Sequence, residues 1–185
     1  MKKFFAFLAA AAMLVGFSAC GGDDDGGGDG DDGRKNQVTI GSKTYELKDA
    51  KSWWYTYDNG ITEFDIYFYD ESNSDGHVYD KTGGSTTDDY DGGAINTYYF
   101  YCDSTTSKSG TYTINNSRDN MTFRGRIEYS EHCDTGDWYD GNATSAVINN
   151  LGGGIYEIII SGKAGDGTTP IELYYKGTIP FFESI

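Results

Sequence analysis

An alternation of apolar and polar residues with a period of two is the feature that most constrains this chain. It is clearest at residues 171–179, where Ile171, Leu173 and Tyr175 fall on one face of an extended chain. Because successive side chains of a strand point to opposite faces, this pattern predicts strands with one buried side. About ten such segments follow one another from residue 37 onwards, separated by turns rich in Gly, Asp and Asn, and we find no sustained helical period.

The predicted fold is therefore all-β. An antiparallel sandwich of two sheets with about ten short strands buries such a pattern, and a closed calycin-like β-barrel is the alternative. Sixteen Tyr, ten Phe and three Trp against only two Pro favour strands. We expect residues 37–185 to form a single β domain, which is long enough to bury a hydrophobic core.

The N-terminus has a different character. Lys2 and Lys3 are followed by an uncharged and mostly apolar stretch that ends at Phe17. About fourteen helical residues extend ~20 Å, which is less than the roughly 30 Å of hydrocarbon in a bilayer. The stretch therefore predicts a signal peptide over residues 1–19 rather than a membrane span.

A cysteine stands directly after the signal peptide. Residues 17–20 read Phe-Ser-Ala-Cys and resemble a lipobox, with Phe17 where that motif prefers Leu. The resemblance implies cleavage before Cys20 and acylation of that cysteine, with palmitate among the expected lipids. Such an anchor makes a membrane the first expected partner, because two or more acyl chains hold a protein stably. The alternative is an ordinary secretory signal cut after Ala19.

The segment that follows consists only of Gly and Asp, GGDDDGGGDGDDG at residues 21–33. No apolar side chain offsets the entropy of ordering, so residues 20–36 are predicted to be the lipidated cysteine and a disordered tether. Acidic residues just after the cysteine resemble the export signal of Bacteroidota surface lipoproteins. This implies an outer-membrane location facing the cell exterior, with the periplasmic face or a plain spacer as alternatives. Residues 110–112, 154–157 and 175–179 also resemble small Bacteroidota lipoproteins of unknown function, which implies an all-β domain.

Charge and motifs limit the classes of function. The chain carries −15, and beyond the tether 12 Lys and Arg stand against 23 Asp and Glu, which gives −11. Such a surface repels phosphate backbones, so no nucleic-acid partner is expected. The two histidines, His77 and His132, cannot form a three-histidine metal site, and no nucleophile-elbow motif occurs. We predict a protein without catalytic activity, with a glycoside hydrolase based on paired carboxylates as a distant alternative.

Two further cysteines are candidates for a disulfide. Cys102 and Cys133 remain after lipidation, and an exported protein lies in a compartment that permits the bond. Closing a loop of about thirty residues would stabilise the fold by ~3–4 kcal/mol in the chain-entropy model. The alternative is a pair of buried free thiols.

Oxygen-rich loops suggest a calcium site. Asp134, Asp137, Asp140 and Asn142 fall within nine residues, and carboxylate and amide oxygens are ligands that calcium prefers. Residues 71–76 resemble the start of an EF-hand loop, although Thr82 stands where that loop has Glu. The alternative is that both segments are ordinary turns. No other cofactor is expected.

Aromatic residues suggest a glycan as ligand. Trp53 and Trp54 are adjacent in a predicted strand, so one should face the core and the other solvent. We take Trp54, with Trp138 and Tyr139 in the acidic loop, as candidate ligand contacts, because exposed rings beside carboxylates suit sugar rings. The competing interpretations are a sheet with half-buried rings, and a structural, fimbrial or envelope-assembly component that acts by contacts with a surface protein.

Overall fold

The computed structural model describes residues 33–70, 93–103, 105, 108–130 and 139–183, all within the compact unit Gly33–Ile185. Across these ranges the chain forms strands and no helix. The strands are β1 (Gln37–Ile40), β2 (Lys43–Glu46), β3 (Asp49–Thr56), β4 (Ile61–Tyr69), β5 (Ala94–Asp103), β6 (Gly110–Ile114), β7 (Thr122–Ser130), β8 (Tyr139–Gly152), β9 (Ile155–Ala164), β10 (Pro170–Thr178) and β11 (Phe181–Glu183). No helix among the described residues has the length and apolar character needed to cross a bilayer.

The strands form one curled sheet in the order β11-β3-β4-β5-β7-β6-β8-β9-β10-β1-β2. The all-β prediction is confirmed, but the two-sheet sandwich is wrong, because a single sheet bends into a half-barrel and buries its inner face against itself. The sheet is also mixed rather than antiparallel, since β11 runs parallel to β3 and β6 parallel to β7. Alternation along a strand shows that one face is buried, but it does not show what covers that face.

Aromatic rings fill the inner face. Phe64, Phe100 and Phe123 lie opposite one another on β4, β5 and β7. Phe100 stacks on Phe123 with ring centroids 3.9 Å apart and on Phe64 at 5.1 Å, and Tyr112 packs edge-on against Phe100. Each fully buried Phe contributes about 1.5–3 kcal/mol by leaving water, and the paired rings add about 0.5–1.5 kcal/mol per pair.

Strand β7 has two partners along one edge, and a glycine marks the point where they separate. Its first residues pair with β6, whereas Arg126–Tyr129 pair with β8. Gly125 stands between these stretches with φ of +80°, and a Cβ there would lie 2.9 Å from Ile114 Cγ2. A side chain would therefore meet both a strained backbone and a steric clash at the fork.

The N-terminal strand is held on both sides. β1 lies between β10 and β2, and Gln37 faces Tyr174. Just before it, the side-chain amide of Asn36 donates to the Lys176 carbonyl at 3.1 Å and accepts from the Lys176 N–H at 2.7 Å. Arg34 forms an ion pair with Glu157 at 3.1 Å. The chain is therefore fixed to the C-terminal part of the sheet from its first described residues.

Candidate functional site

Several predicted site residues lie outside the described part of the chain. These are the lipidation site Cys20, the disulfide partner Cys133, the ring Trp138 and the acids Asp134 and Asp137. The two histidines and the EF-hand-like segment also lie outside it. The lipid anchor and the calcium site therefore stay predictions.

The two adjacent tryptophans lie on opposite faces, as the alternation predicts. Trp54 is opposite Phe64 and packs against the core, whereas Trp53 is opposite Asp65 on the outer face. Our choice of Trp54 as the ligand contact is corrected by this register. Trp53 is the member of the pair that a ligand on the outer face would meet.

The acidic segment is also placed differently from the prediction. Tyr139, Asp140 and Asn142 belong to strand β8 and not to a loop. Tyr139 lies opposite Tyr129 and stacks on it at 5.3 Å, whereas Asp140 and Asn142 occupy the positions of the outer face. Because strand neighbours point to opposite faces, Tyr139 and Asp140 cannot serve one ligand together. Within the described ranges, no group of three or more His, Cys, Asp and Glu side chains could hold a metal ion.

Tyr129 also lines a small apolar cavity on the inner side. The cavity is partly open to solvent and has a volume of about 20 Å³ for a water-sized sphere, and Val38, Tyr45 and Ile95 form much of its wall. Asp70 is the one carboxylate among its lining residues. A space of this size with a mainly apolar lining offers few hydrogen-bonding groups to a polar ligand.

Cys102 is a buried free cysteine, and its burial raises the pKa of the thiol. Ser130 pairs with Ala94, which lies at the other end of β5 from Cys102. Ala94 and Cys102 are eight residues apart, which corresponds to roughly 25 Å of strand. Three residues from Ser130 to Cys133 span at most ~11 Å. A disulfide needs Cα atoms within about 7 Å, so the described geometry favours free thiols.

Aromatic rings form a continuous row on the outer face, across β11, β3, β4 and β5. Phe182 lies 5.7 Å from Trp53, Trp53 lies 4.9 Å from Tyr67, and Tyr67 lies 5.9 Å from Tyr98. Tyr99 continues the row at 5.8 Å from Tyr98. We call these five residues the aromatic row. The contacts of Tyr67 with Trp53 and with Tyr98 are edge-to-face, a preferred geometry of aromatic pairs, whereas Phe182 and Tyr99 meet their neighbours at tilted angles of 31° and 42°.

A β-bulge brings two adjacent tyrosines into the row. The pairing of β5 with β7 shifts between Tyr98 and Phe100, and Tyr99 has a φ of 70° that non-glycine residues seldom adopt. Its N–H donates to Asp65 Oδ1 at 2.7 Å. The extra residue lets Tyr98 and Tyr99 both lie on the outer side while Phe100 stays in the core.

Guanidinium groups lie over the tyrosines at this end of the sheet. Arg126 lies 5.4 Å from the ring centroid of Tyr98, and Arg124 lies 5.0 Å from that of Tyr99. Arg118 lies 5.5 Å from that of Tyr57. These are cation–π distances, at which a tyrosine ring attracts the guanidinium and restrains its position.

The carboxylates of this face have protein partners of their own. Glu63 accepts a hydrogen bond from the Tyr57 hydroxyl at 2.8 Å, and Glu128 pairs with Arg126. Burial raises the pKa of Asp65 to about 7, and the charge of Glu63 adds to this rise, while the Tyr99 N–H opposes it. A carboxyl group that titrates near neutral pH marks this part of the sheet as a candidate site.

Sequence reasoning missed this site although part of its signal was present. The polar phase of β4 contains Tyr67, and Arg124 and Arg126 are two residues apart, which places them on one face of a strand. No sequence pattern indicated the bulge at Tyr99, because the positive φ of this tyrosine is imposed by the neighbouring strands. We found no protein-family model, curated protein or solved structure that matches the chain.

Proposed function

We propose that this protein is a lipid-anchored protein of the outer membrane, facing the cell exterior, whose β domain binds a glycan without catalysis. The aromatic row is the observation that supports glycan binding. The lipobox at Cys20 and the acidic tether support the anchor and the location.

Exposed aromatic rings suit sugars because a pyranose presents an apolar face of C–H groups, which can pack on a ring, and a polar rim. The row is extended rather than enclosed, and Phe182 at one end is 46% exposed, so a chain of sugars could lie along it. Each ring is already held by its neighbours, so little side-chain entropy is lost when a ligand binds. Tyrosine hydroxyls and guanidinium groups at the other end offer hydrogen bonds to the rim.

Two exposed aromatic residues form a matched test of this proposal. Phe182→Ala removes a ring of the aromatic row, and Tyr139→Ala removes a ring of similar exposure on the other face. Using the full lipoprotein in detergent, we expect a screen of immobilised polysaccharides to give a ligand whose affinity falls about tenfold in Phe182→Ala and not in Tyr139→Ala. Equal affinity of the two variants, or no polysaccharide bound by the wild type, would contradict glycan binding on this face.

An assembly role through strand addition has less support. The edge strands are β2, with four residues, and β11, with three. β2 is largely exposed and carries Lys43 and Glu46. Short, charged edges are the devices by which proteins avoid pairing with other chains.

The distant hydrolase alternative has one observation in its favour. Glu63 and Asp65 lie two residues apart on the outer face of β4, and the pKa of Asp65 near 7 would suit a general acid. Release of reducing sugars from the bound polysaccharide by the wild type, and its loss in Asp65→Asn, would favour hydrolysis over simple binding.

A further inference from the structure

The arginines of this chain are concentrated at one place. The chain contains four: Arg124 and Arg126 lie over Tyr99 and Tyr98 of the aromatic row, and Arg118 lies over Tyr57, just after the end of β3. With Arg118, these make three arginines in this part of the sheet. The part of the chain beyond the tether has a net charge of −11, so this group of arginines contrasts with the acidic character of the rest of the domain. We call these three residues the arginine group.

Two members of the group have donors that the described protein does not use. No carboxylate of the described residues lies within ion-pair distance of Arg118 or Arg124, and Nε of Arg124 is buried without a hydrogen-bond partner among those residues. Arg126 differs, because it pairs with Glu128. A guanidinium offers five N–H donors in a fixed plane, and the neighbouring tyrosine ring restrains the position of each group here.

We propose that the ligand of the aromatic row is an anionic glycan, whose carboxylate or sulfate groups are bound by Arg118 and Arg124. This inference rests on the proposed glycan binding and adds the charge of the ligand. A guanidinium pairs with a carboxylate or sulfate through two parallel hydrogen bonds, which are stronger than neutral ones. Sugar rings on the aromatic row would place their acidic substituents beside the tyrosines that carry these two arginines.

The acids on the same face offset the charge of the two arginines only in part. The carboxylate of Glu63 accepts from the Tyr57 hydroxyl, and that of Glu128 is paired with Arg126. Asp65 turns one oxygen to the Tyr99 N–H and holds its proton up to about neutral pH. The remaining negative charge of the domain is screened beyond about 8 Å at physiological ionic strength.

Polymers that differ only in charge test this inference. We would measure binding of the full lipoprotein in detergent to polygalacturonate and to the same polymer after reduction of its carboxyl groups. Dextran sulfate and dextran form the second pair and separate sulfate from carboxylate as the source of the charge. The variants are Arg118→Gln with Arg124→Gln as a double substitution, and Arg34→Gln as the matched control, since Arg34 lies over the ring of Tyr174 on β10 and apart from the aromatic row. Thermal unfolding of each variant verifies that it is folded.

We expect the wild type to bind one charged polymer at least about tenfold more tightly than its neutral counterpart, and we expect this preference to weaken with salt. The double variant should lose the preference, and Arg34→Gln should keep it. Equal binding of charged and neutral polymers, or a preference retained in the folded double variant, would overturn the inference while leaving glycan binding intact. Charge-dependent binding that Phe182→Ala does not weaken would overturn glycan stacking instead, and would leave only an anion site.

Discussion

Substitution of Asp65 by asparagine tests how much the buried charge of this carboxylate lowers the stability of the folded protein. Burial raises the pKa of this carboxyl from 3.8 to about 7, so the folded protein holds the proton more tightly than the unfolded chain does. The contribution of Asp65 to the stability of the wild type must then fall as the pH rises from about 4 to about 7, because the charged form is penalised only in the folded state. A pKa difference of about 3 corresponds to at most ~4 kcal/mol.

The asparagine side chain would keep an oxygen that can accept from the Tyr99 N–H, but it would carry no charge. We therefore expect Asp65→Asn to match the wild type near pH 4 and to be more stable by about 2–4 kcal/mol at pH 8, with the lower figure reflecting residual contact of the side chain with solvent. Urea unfolding at pH 4, 6 and 8 measures this difference from the midpoints at constant slope.

Asp166 supplies a control of opposite sign. Hydrogen bonds from Thr169 and Thr168 lower the pKa of this exposed carboxyl to about 2, so its charge stabilises the folded state above pH 4. Asp166→Asn should thus lose stability at pH 8 where Asp65→Asn gains it. If Asp65→Asn is less stable than the wild type at pH 8, or if its advantage does not grow with pH, the desolvation argument is refuted.

Three further outcomes follow from the sequence and the fold. Cys20→Ala should abolish incorporation of labelled palmitate, and unchanged labelling would refute the lipidation prediction. Natively purified protein should show Cys102 and Cys133 as two free thiols after unfolding in a thiol-blocking experiment, whereas a protected pair would refute the strand-length argument. Gly125→Ala should destabilise the domain by about 2–4 kcal/mol through backbone strain and the clash at the fork, measured by urea unfolding. Gly153→Ala, at a positive φ but with nothing within 4 Å of the added Cβ, should cost only about 1 kcal/mol, and equal losses would contradict the steric part.

The alternation of apolar and polar residues was sufficient to predict an all-β chain, because burial of one strand face is a local property. The order in which the strands pair, by contrast, depends on contacts between different strands, which the pattern within one strand does not specify. Strand β6 inserts beside β7 at the fork near Gly125, and β11 joins β3 in parallel, which pairs segments from opposite ends of the domain's sequence. The sandwich prediction failed at this step, since two stacked sheets and one curled sheet place the same demands on each strand.

The candidate site on the outer face differs in place from the one that the sequence predicted. Adjacent tryptophans had to lie on opposite faces, but only the register with β4 decides that Trp53 is the outer one. The Asp and Gly content around Tyr139 indicated a turn, whereas the pairing of β8 with both β7 and β9 extends the strand through it. The bulge at Tyr99 depends on the carboxylate of Asp65 and on two neighbouring strands, so no single segment could reveal it.

The attachment of the N-terminal strand has a mechanical consequence for a protein held by its N-terminus. A pull on the chain before Gly33 first reaches the ion pair of Arg34 and the two hydrogen bonds of Asn36. Behind them, β1 is hydrogen-bonded on both edges, to β10 and to β2. A force along the strand therefore loads both ladders at once in shear, and does not open them one bond at a time. Under the proposed lipid anchor, a domain attached in this way would keep its shape when the proposed ligand is pulled away from the membrane.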